Sequence, residues 1–478
     1  MASSSHHAHR YHIHTAFKIL KTINIQWQLQ RFYATKTDLK TFGQKKQHYG
    51  NLFPDKLLSK KQKTPALMYL ANNKAATAVD ELLDPYLKQS PCDTILEINP
   101  GIGLFTRKLL DREDTFRKIL LMESMDFFMD NLQEMHSLYP DKVKVKHCDF
   151  TNIWKLVYQD KMDNGTRVEE VLRDIPRKAY NEDCNMLMFG AIGSYQFFKH
   201  LINSIVFQNS YLSMGRAEMY FILPPPLYLH LTCTNDIGYM IYRSTTILFQ
   251  IFFEYKFIAY LPRDDFLPQQ TEYNTSKGSK LRRVRSINPE HLYLVKVVPR
   301  RNIFDFVAAE DLPALWYFIK QNCVSRRNRI IPNLEKWIPG CGPRLIVNKR
   351  QTEVSTLLYP DEDISKLPKY STPCKTISNR DYYPNINIYT QFGDLTPGQF
   401  LTLYSMFRKW PEYEESSFLA SFENNMLKME ASAEDSVDGL AEEDDDDGST
   451  ELRSLKDAPL EPASLQKPKR NRIKDKES

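Results

Sequence analysis

The sequence predicts an α/β protein, an open and mostly parallel sheet of about seven strands followed by a small helical C-terminal subdomain. Three observations carry that expectation. Short apolar runs alternate with helical patterns between Thr94 and Asp149, further apolar runs recur as far as Val298, and after Phe304 the pattern turns helical.

Periodicity starts after Pro65. Between Asn72 and Leu87 the residues Ala75, Val79, Leu82, Leu83 and Leu87 recur at helical spacing, the mark of an amphipathic helix. Thr94–Ile98 is a short apolar run that ends in Asn99-Pro100-Gly101, and Leu104–Asp111 has helical composition, so this stretch reads strand, tight turn, helix. Lys118–Glu123 is a second strand ending in an acid, with a helix over Asp126–Leu138 and a third strand at Val143–Asp149. That interval indicates βαβ units and a parallel sheet. Asn185–Phe189, Ala217–Leu223, Phe257–Leu261 and His291–Val298 supply the remaining strands. Beyond Phe304, Asp311–Cys323 and Pro397–Lys409 read as helices, with a Pro-rich irregular stretch from Tyr359 to Asn387 between them.

A chain of 478 residues with 42% hydrophobic, 26% charged and 12% aromatic residues can bury a sizeable core, which argues against wholesale disorder. The seven cysteines stand singly with no CxxC pair, so free thiols in a reducing compartment are expected and a zinc site is not. The most apolar stretch, Ile237–Leu261, is interrupted by Arg243, Glu254 and Lys256, so no membrane insertion is expected. The termini differ from the middle. Residues 1–37 carry Arg10, Lys18, Lys21, Arg31 and Lys36 and no acid before Asp38, the composition of a mitochondrial presequence, with Arg31-Phe32-Tyr33 suggesting cleavage after Tyr33. A disordered basic arm is the other reading, and the irregular spacing of His6, His7, His9, His12 and His14 does not suit a metal site. The expected order is a presequence (1–33), a Lys-rich arm (34–64), a Rossmann-like domain (65–304), a helical subdomain (305–430) and a tail (431–478). The tail has nine acids in the fourteen residues Glu434–Asp447, then six bases in Lys467–Lys476. It reads as solubilising, or as a nucleic-acid mimic.

The segment Glu97-Ile98-Asn99-Pro100-Gly101-Ile102-Gly103 lies where the first strand turns into a helix, at the sheet edge where doubly wound folds bind nucleotides. A lone Gly-x-Gly is weak evidence. Its weight comes from Glu123 at the end of the second strand, placed for ribose hydroxyls, and Asp149 at the end of the third, placed for an adenine amino group. Together these are the usual constellation for S-adenosylmethionine in class I methyltransferases, although each acid alone reads first as a solvated carboxylate at a strand end.

On these residues the chain resembles the rRNA adenine dimethyltransferase family, and within it the mitochondrial branch that serves transcription. The resemblance rests on ILEINPGIGLFTRKLL (95–110), KILLMES (118–124), VKHCDF (145–150), RAEMYFI (216–222), LYLVKVVPRRNIF (292–304), Arg326-Arg327 and LTPGQFLTLYSMF (395–407), and spans about residues 65–410. It implies a class I S-adenosylmethionine methyltransferase fold, with the cofactor held by Leu70 through its backbone and by Glu97, Gly101, Gly103, Glu123 and Asp149.

The resemblance fails at the chemistry. Active members carry Asn-Leu-Pro-Phe or Asn-Leu-Pro-Tyr after the fourth strand, where the Asn and a backbone carbonyl orient the adenine amine and the ring stacks on the flipped base. Here the matching residues are Ala191, Ile192, Gly193 and Ser194, and the family's Gln-Asn-Phe-Leu is Leu67-Met68-Tyr69-Leu70. Loss of an oriented acceptor costs about 2–4 kcal/mol of transition-state stabilisation, so fast dimethylation is not expected. Phe266, in the Pro262-x-x-x-Phe266-x-Pro268 loop, reads either as a base-stacking ring or as a core phenylalanine.

Lys277, Lys280, Arg282, Arg283, Arg285, Lys296, Arg300 and Arg301 face a single acid, Glu290, over that stretch, and Arg326, Arg327 and Arg329 add a second cluster. They suit phosphate neutralisation, with Tyr293 and Phe304 as nearby rings, or a plain solvated surface. The resemblance implies a monomeric initiation factor that partners mitochondrial RNA polymerase and promoter DNA in the matrix nucleoid. Dimethylation of adjacent adenines in a small-subunit rRNA hairpin is the alternative, and an rRNA-binding assembly factor a third reading.

Overall fold

The computed structural model describes residues 51–59, 65–112, 115–268, 290–347, 364–368 and 371–435. The expected presequence, the arm apart from 51–59, the basic residues Lys277, Lys280, Arg282, Arg283 and Arg285, and the tail from 436 on lie outside them.

The strands are β1 (Tyr69–Leu70), β2 (Thr94–Ile98), β3 (Lys118–Glu123), β4 (Val143–His147), β5 (Met186–Ala191), β6 (Ala217–Leu223), β7 (Phe253–Pro262), β8 (Phe266–Leu267) and β9 (His291–Pro299). Seven of them form one sheet in the order β4-β3-β2-β5-β6-β9-β7, and β1 pairs with β8 apart from it. β4, β3, β2, β5 and β6 run parallel, whereas β9 is antiparallel to both β6 and β7. β9 inserts between its two predecessors because the connection after Pro262 returns the chain to pair His291 with Pro262. An apolar run such as HLYLVKVV carries no sign of its direction.

Side chains alternate across each strand. In β2, Leu96 and Ile98 join a core shared with the helices Tyr195–Val206, Pro225–Thr232 and Ser244–Phe252. Ile95 joins the core on the opposite face, under the helices Asn73–Leu87, Leu104–Leu110 and Asp126–Leu138. Glu97, two residues on, faces that same side. The C-terminal helices Leu312–Asn322 and Pro397–Arg408 add Leu315, Phe318, Phe400 and Phe407 to the first core. Thr396 caps the second of these helices by accepting from the Gln399 N–H, and Pro397 opens its first turn, where its missing N–H costs nothing. No described helix is long and apolar enough to cross a membrane. The order of strands reverses between β2 and β5, which opens a crevice beyond their carboxyl ends.

Candidate cofactor and acceptor site

The turn after β2 holds three residues in the left-handed region: Asn99 at φ 53°, Gly101 at φ 60° and Gly103 at φ 72°. Both glycines suit the angle, and Gly101 is needed for space as well. A Cβ on Gly101 would lie 2.9 Å from the Tyr69 ring, and one on Gly103 would lie 2.9 Å from the Met135 sulfur. Asn99 accepts from the Ser124 hydroxyl at 3.3 Å, while its buried side-chain NH2 has no partner. The turn therefore retains one donor that a ligand acceptor would satisfy.

Glu97 is buried and accepts a 2.7 Å bond from Thr106 on the following helix. Burial pushes its carboxyl up to about 8, against the Thr106 hydrogen bond and with the nearby Glu123 charge. It is thus largely protonated at neutral pH. Glu123 has no exposed surface, and four donors surround its carboxylate: the Tyr69 hydroxyl (3.2 Å), and the backbone N–H groups of Gly101 (2.9 Å), Ser124 (2.8 Å) and Met125 (2.8 Å). Burial raises its pKa and these bonds oppose the rise. The Tyr69 phenol is held protonated by burial and then by the Glu123 charge. Asp149 is half-buried and works as a cap: its oxygens accept from the Thr151 hydroxyl at 2.6 Å and the Asn152 amide at 2.8 Å.

On the acceptor side, the segment 65–72 closes over the end of β5. Met68 N–H donates to the Ala191 carbonyl (3.3 Å) and Gly193 N–H to the Ala66 carbonyl (2.9 Å), while Leu67 bridges Ile192. A Cβ on Gly193 would collide with the Pro65 carbonyl oxygen. The same segment is tied to the loop after β7: Leu70 pairs with Phe266, Ala71 N–H donates to the Asp265 carbonyl at 2.8 Å, and the Asn72 amide donates to the Asp265 carboxylate at 2.7 Å. Phe266 is fully buried in the core that holds Tyr69 and Phe189, so it packs as a core phenylalanine and offers no face to a base. Ser194 caps the helix Tyr195–Val206 by accepting from Phe197 N–H.

The expected nucleic-acid residues separate. Arg300 leaves the set: it is buried, donates to the carbonyls of Gln250 and Lys375, and lies 3.5 Å from the Glu254 carboxylate. It lines a partly open cavity of about 260 Å³ with Gln250, Tyr255 and Asp381. Tyr293 is buried as well, and Phe304 packs on Tyr180 with ring centroids 4.8 Å apart. Arg301 is exposed and donates to the Asn181 carbonyl. Arg326 lies over the exposed ring of Tyr239 at 4.2 Å and Arg329 over that of Tyr389 at 5.4 Å, with exposed Arg327 between them in sequence. Sequence reasoning missed these two tyrosines, as it missed Thr106 and the part played by Tyr69. Only folding brings Tyr239 to Arg326 and Tyr389 to Arg329, so no local spacing signals them.

The reversed strand β9 set before β7, with the glycine turn at the point where strand order reverses, defines the class: a Rossmann-like fold of the S-adenosylmethionine-dependent methyltransferases. Within that class, residues 58–342 match the ribosomal RNA adenine dimethylase family, and the chain belongs to it. It is 59% identical over 429 residues, 88% of its own length and 93% of the relative's, to "Dimethyladenosine transferase 2, mitochondrial" of Drosophila melanogaster. The protein of that name from Rattus norvegicus is 24% identical over 317 residues, 63% of this chain and 76% of the relative. Among solved structures, M. jannaschii TYW2 in complex with AdoMet covers 47% of this chain and 75% of its own at 13% identity and a TM-score of 0.23. The glycine turn and the unpartnered Asn99 amide fit close approach of such a cofactor, whereas Glu97 is enclosed and bonded to Thr106. Glu123 as placed does not fit either, because its carboxylate is fully enclosed.

Proposed function

We propose that this chain is a mitochondrial transcription initiation factor derived from an rRNA adenine dimethyltransferase, assisting mitochondrial RNA polymerase in melting promoter DNA. The observation that carries the loss of chemistry is the end of β5. There Ala191, Ile192, Gly193 and Ser194 supply no side chain to orient an amine, and the segment 65–68 is hydrogen-bonded to the main chain at Ala191 and Gly193. What remains for function is surface. Arg326, Arg327 and Arg329, with the exposed rings of Tyr239 and Tyr389, combine phosphate neutralisation with stacking, the two components of single-strand binding. The transcription role itself rests on the resemblance to the mitochondrial branch of the family. A mitochondrial location rests on the acid-free basic N-terminus and on the relatives' printed names.

Run-off transcription from a mitochondrial promoter with purified polymerase tests the reading. Promoter-specific transcripts are expected only when the chain is added, at a level unchanged by S-adenosylmethionine or S-adenosylhomocysteine. Folded protein that gives no stimulation ends it. A second reading, dimethylation of the small-subunit rRNA hairpin, is favoured by the retained glycine turn and the unpartnered Asn99 amide. Methyl incorporation into that hairpin at rates comparable to a family member with an intact Asn-Leu-Pro-aromatic motif would establish it.

A further inference from the structure

We infer that Tyr69 is a resident occupant of the ribose subsite, its hydroxyl engaging the Glu123 carboxylate that a cofactor ribose would need and its ring closing the space over Gly101. The inference goes beyond the transcription reading and does not depend on it.

Glu123 has no exposed surface, so no ligand atom reaches its carboxylate until something moves. Three of its four partners are backbone N–H groups of Gly101, Ser124 and Met125, fixed by the glycine turn and by the start of the helix Asp126–Leu138. Tyr69, at 3.2 Å, is the side-chain partner, and so the one able to leave without dismantling the turn. Its ring lies where a Gly101 Cβ would be 2.9 Å away, and it packs on Phe128 with centroids 5.1 Å apart. The glycine that in this fold class allows a ligand close approach here allows a tyrosine instead.

The occupant is also tethered. Tyr69 pairs with Leu267, Met68 is bonded to Ala191, and Leu70 pairs with Phe266. Vacating the ribose subsite by moving the backbone at Tyr69 therefore unzips the segment that covers the acceptor end of β5. Where the backbone moves, the two halves of the site open together, and the apparent affinity for a nucleoside cofactor falls to the fraction of molecules in which Tyr69 has left the subsite.

Isothermal titration of S-adenosylmethionine into the full chain, Tyr69→Phe and Tyr69→Ala tests this, with thermal melts as the folding control. Tyr69→Ala is expected to bind about tenfold or more tighter than wild type, and Tyr69→Phe, which loses only the hydroxyl, to fall between them. Equal affinity in all three proteins overturns the inference. Should Tyr69→Ala fail to melt cooperatively, Tyr69→Phe decides alone: tighter binding than wild type supports a hydroxyl that competes with ribose, and equal or weaker binding overturns it. None of these results depends on promoter activity, so failure here leaves the proposed function standing.

Discussion

The crevice beyond the sheet has two banks that have changed in opposite ways. On the bank of β2 and β3 the polar residues of the family pattern persist, but their hydrogen bonds are made internally: Glu97 with Thr106, Glu123 with Tyr69 and the Gly101 turn, Asp149 with Thr151 and Asn152. On the bank of β5, Ala191, Ile192 and Gly193 offer no side-chain donor or acceptor, and their main chain pairs with the segment 65–68. A buried carboxylate that loses its ligand must find other donors or become costly. A residue replaced by alanine or glycine makes no such demand. Persistence of a binding motif is thus weak evidence for an open site, because its acids also brace the turn they once lent to a ligand.

The largest effect is expected where the β5 bank is tightest. Gly193→Ala places a methyl group against the backbone carbonyl oxygen of Pro65, with no flexible side chain to yield. It should destabilise the fold by about 2–4 kcal/mol in urea titration. Alternatively the segment 65–68 lifts away, which would appear as faster amide exchange at Met68 and Gly193 with the global midpoint little changed. Either result confirms that packing of this segment depends on glycine. A neutral outcome in both measurements would mean that the bank is open and that the comparison between the two is wrong.

Much of the sheet was legible because strands with one amphipathic or fully apolar run and a turn at each end announce themselves. β3 and β6 and the helix Asp126–Leu138 lie at their expected bounds, and β2 does too. The helices Pro225–Thr232 and Ser244–Phe252 escaped for the opposite reason. Every residue of Ser244–Phe252 is buried, so no polar face marks its period, and its apolar run merges with β7. At the site, the positions of Glu97, Gly101, Gly103 and Glu123 were legible from spacing, but their satisfaction by Thr106 and Tyr69 was not. Arg300 shows the limit of reading charge from a list: it sits among basic residues in sequence, yet folding buries it against Gln250 and Glu254.

The retained bank offers an intermediate effect with a distinctive pH signature. Burial raises the Glu97 carboxyl from 4.5 to about 8, so the folded state keeps a proton that the unfolded state has released across that interval. Its contribution is present in full below pH 4.5 and is lost as pH rises toward 8. Glu97→Gln keeps the shape and removes the titration. The variant should be more stable than wild type by about 1–3 kcal/mol near pH 7.5 and should lack the corresponding decline in stability between the two pH limits. Parallel pH profiles for the two proteins would show that Glu97 is not enclosed and that this bank is more open than its hydrogen bonds indicate.

The smallest expected effect separates what the β5 bank has lost from what it has acquired. The Ser194 hydroxyl accepts from Phe197 N–H at the start of the helix Tyr195–Val206. That is an N-cap, and removing one costs about 1 kcal/mol. Ser194→Ala should lower stability by that amount, Ser194→Asp should restore it by capping the same N–H, and run-off transcription at a temperature where all three proteins are folded should be unchanged. A loss of transcription in Ser194→Ala that Ser194→Asp does not rescue, with stability intact in both, would place the hydroxyl in contact with nucleic acid or polymerase. The sealed bank would then be a working surface, and the two halves of the crevice would differ in function as well as in packing.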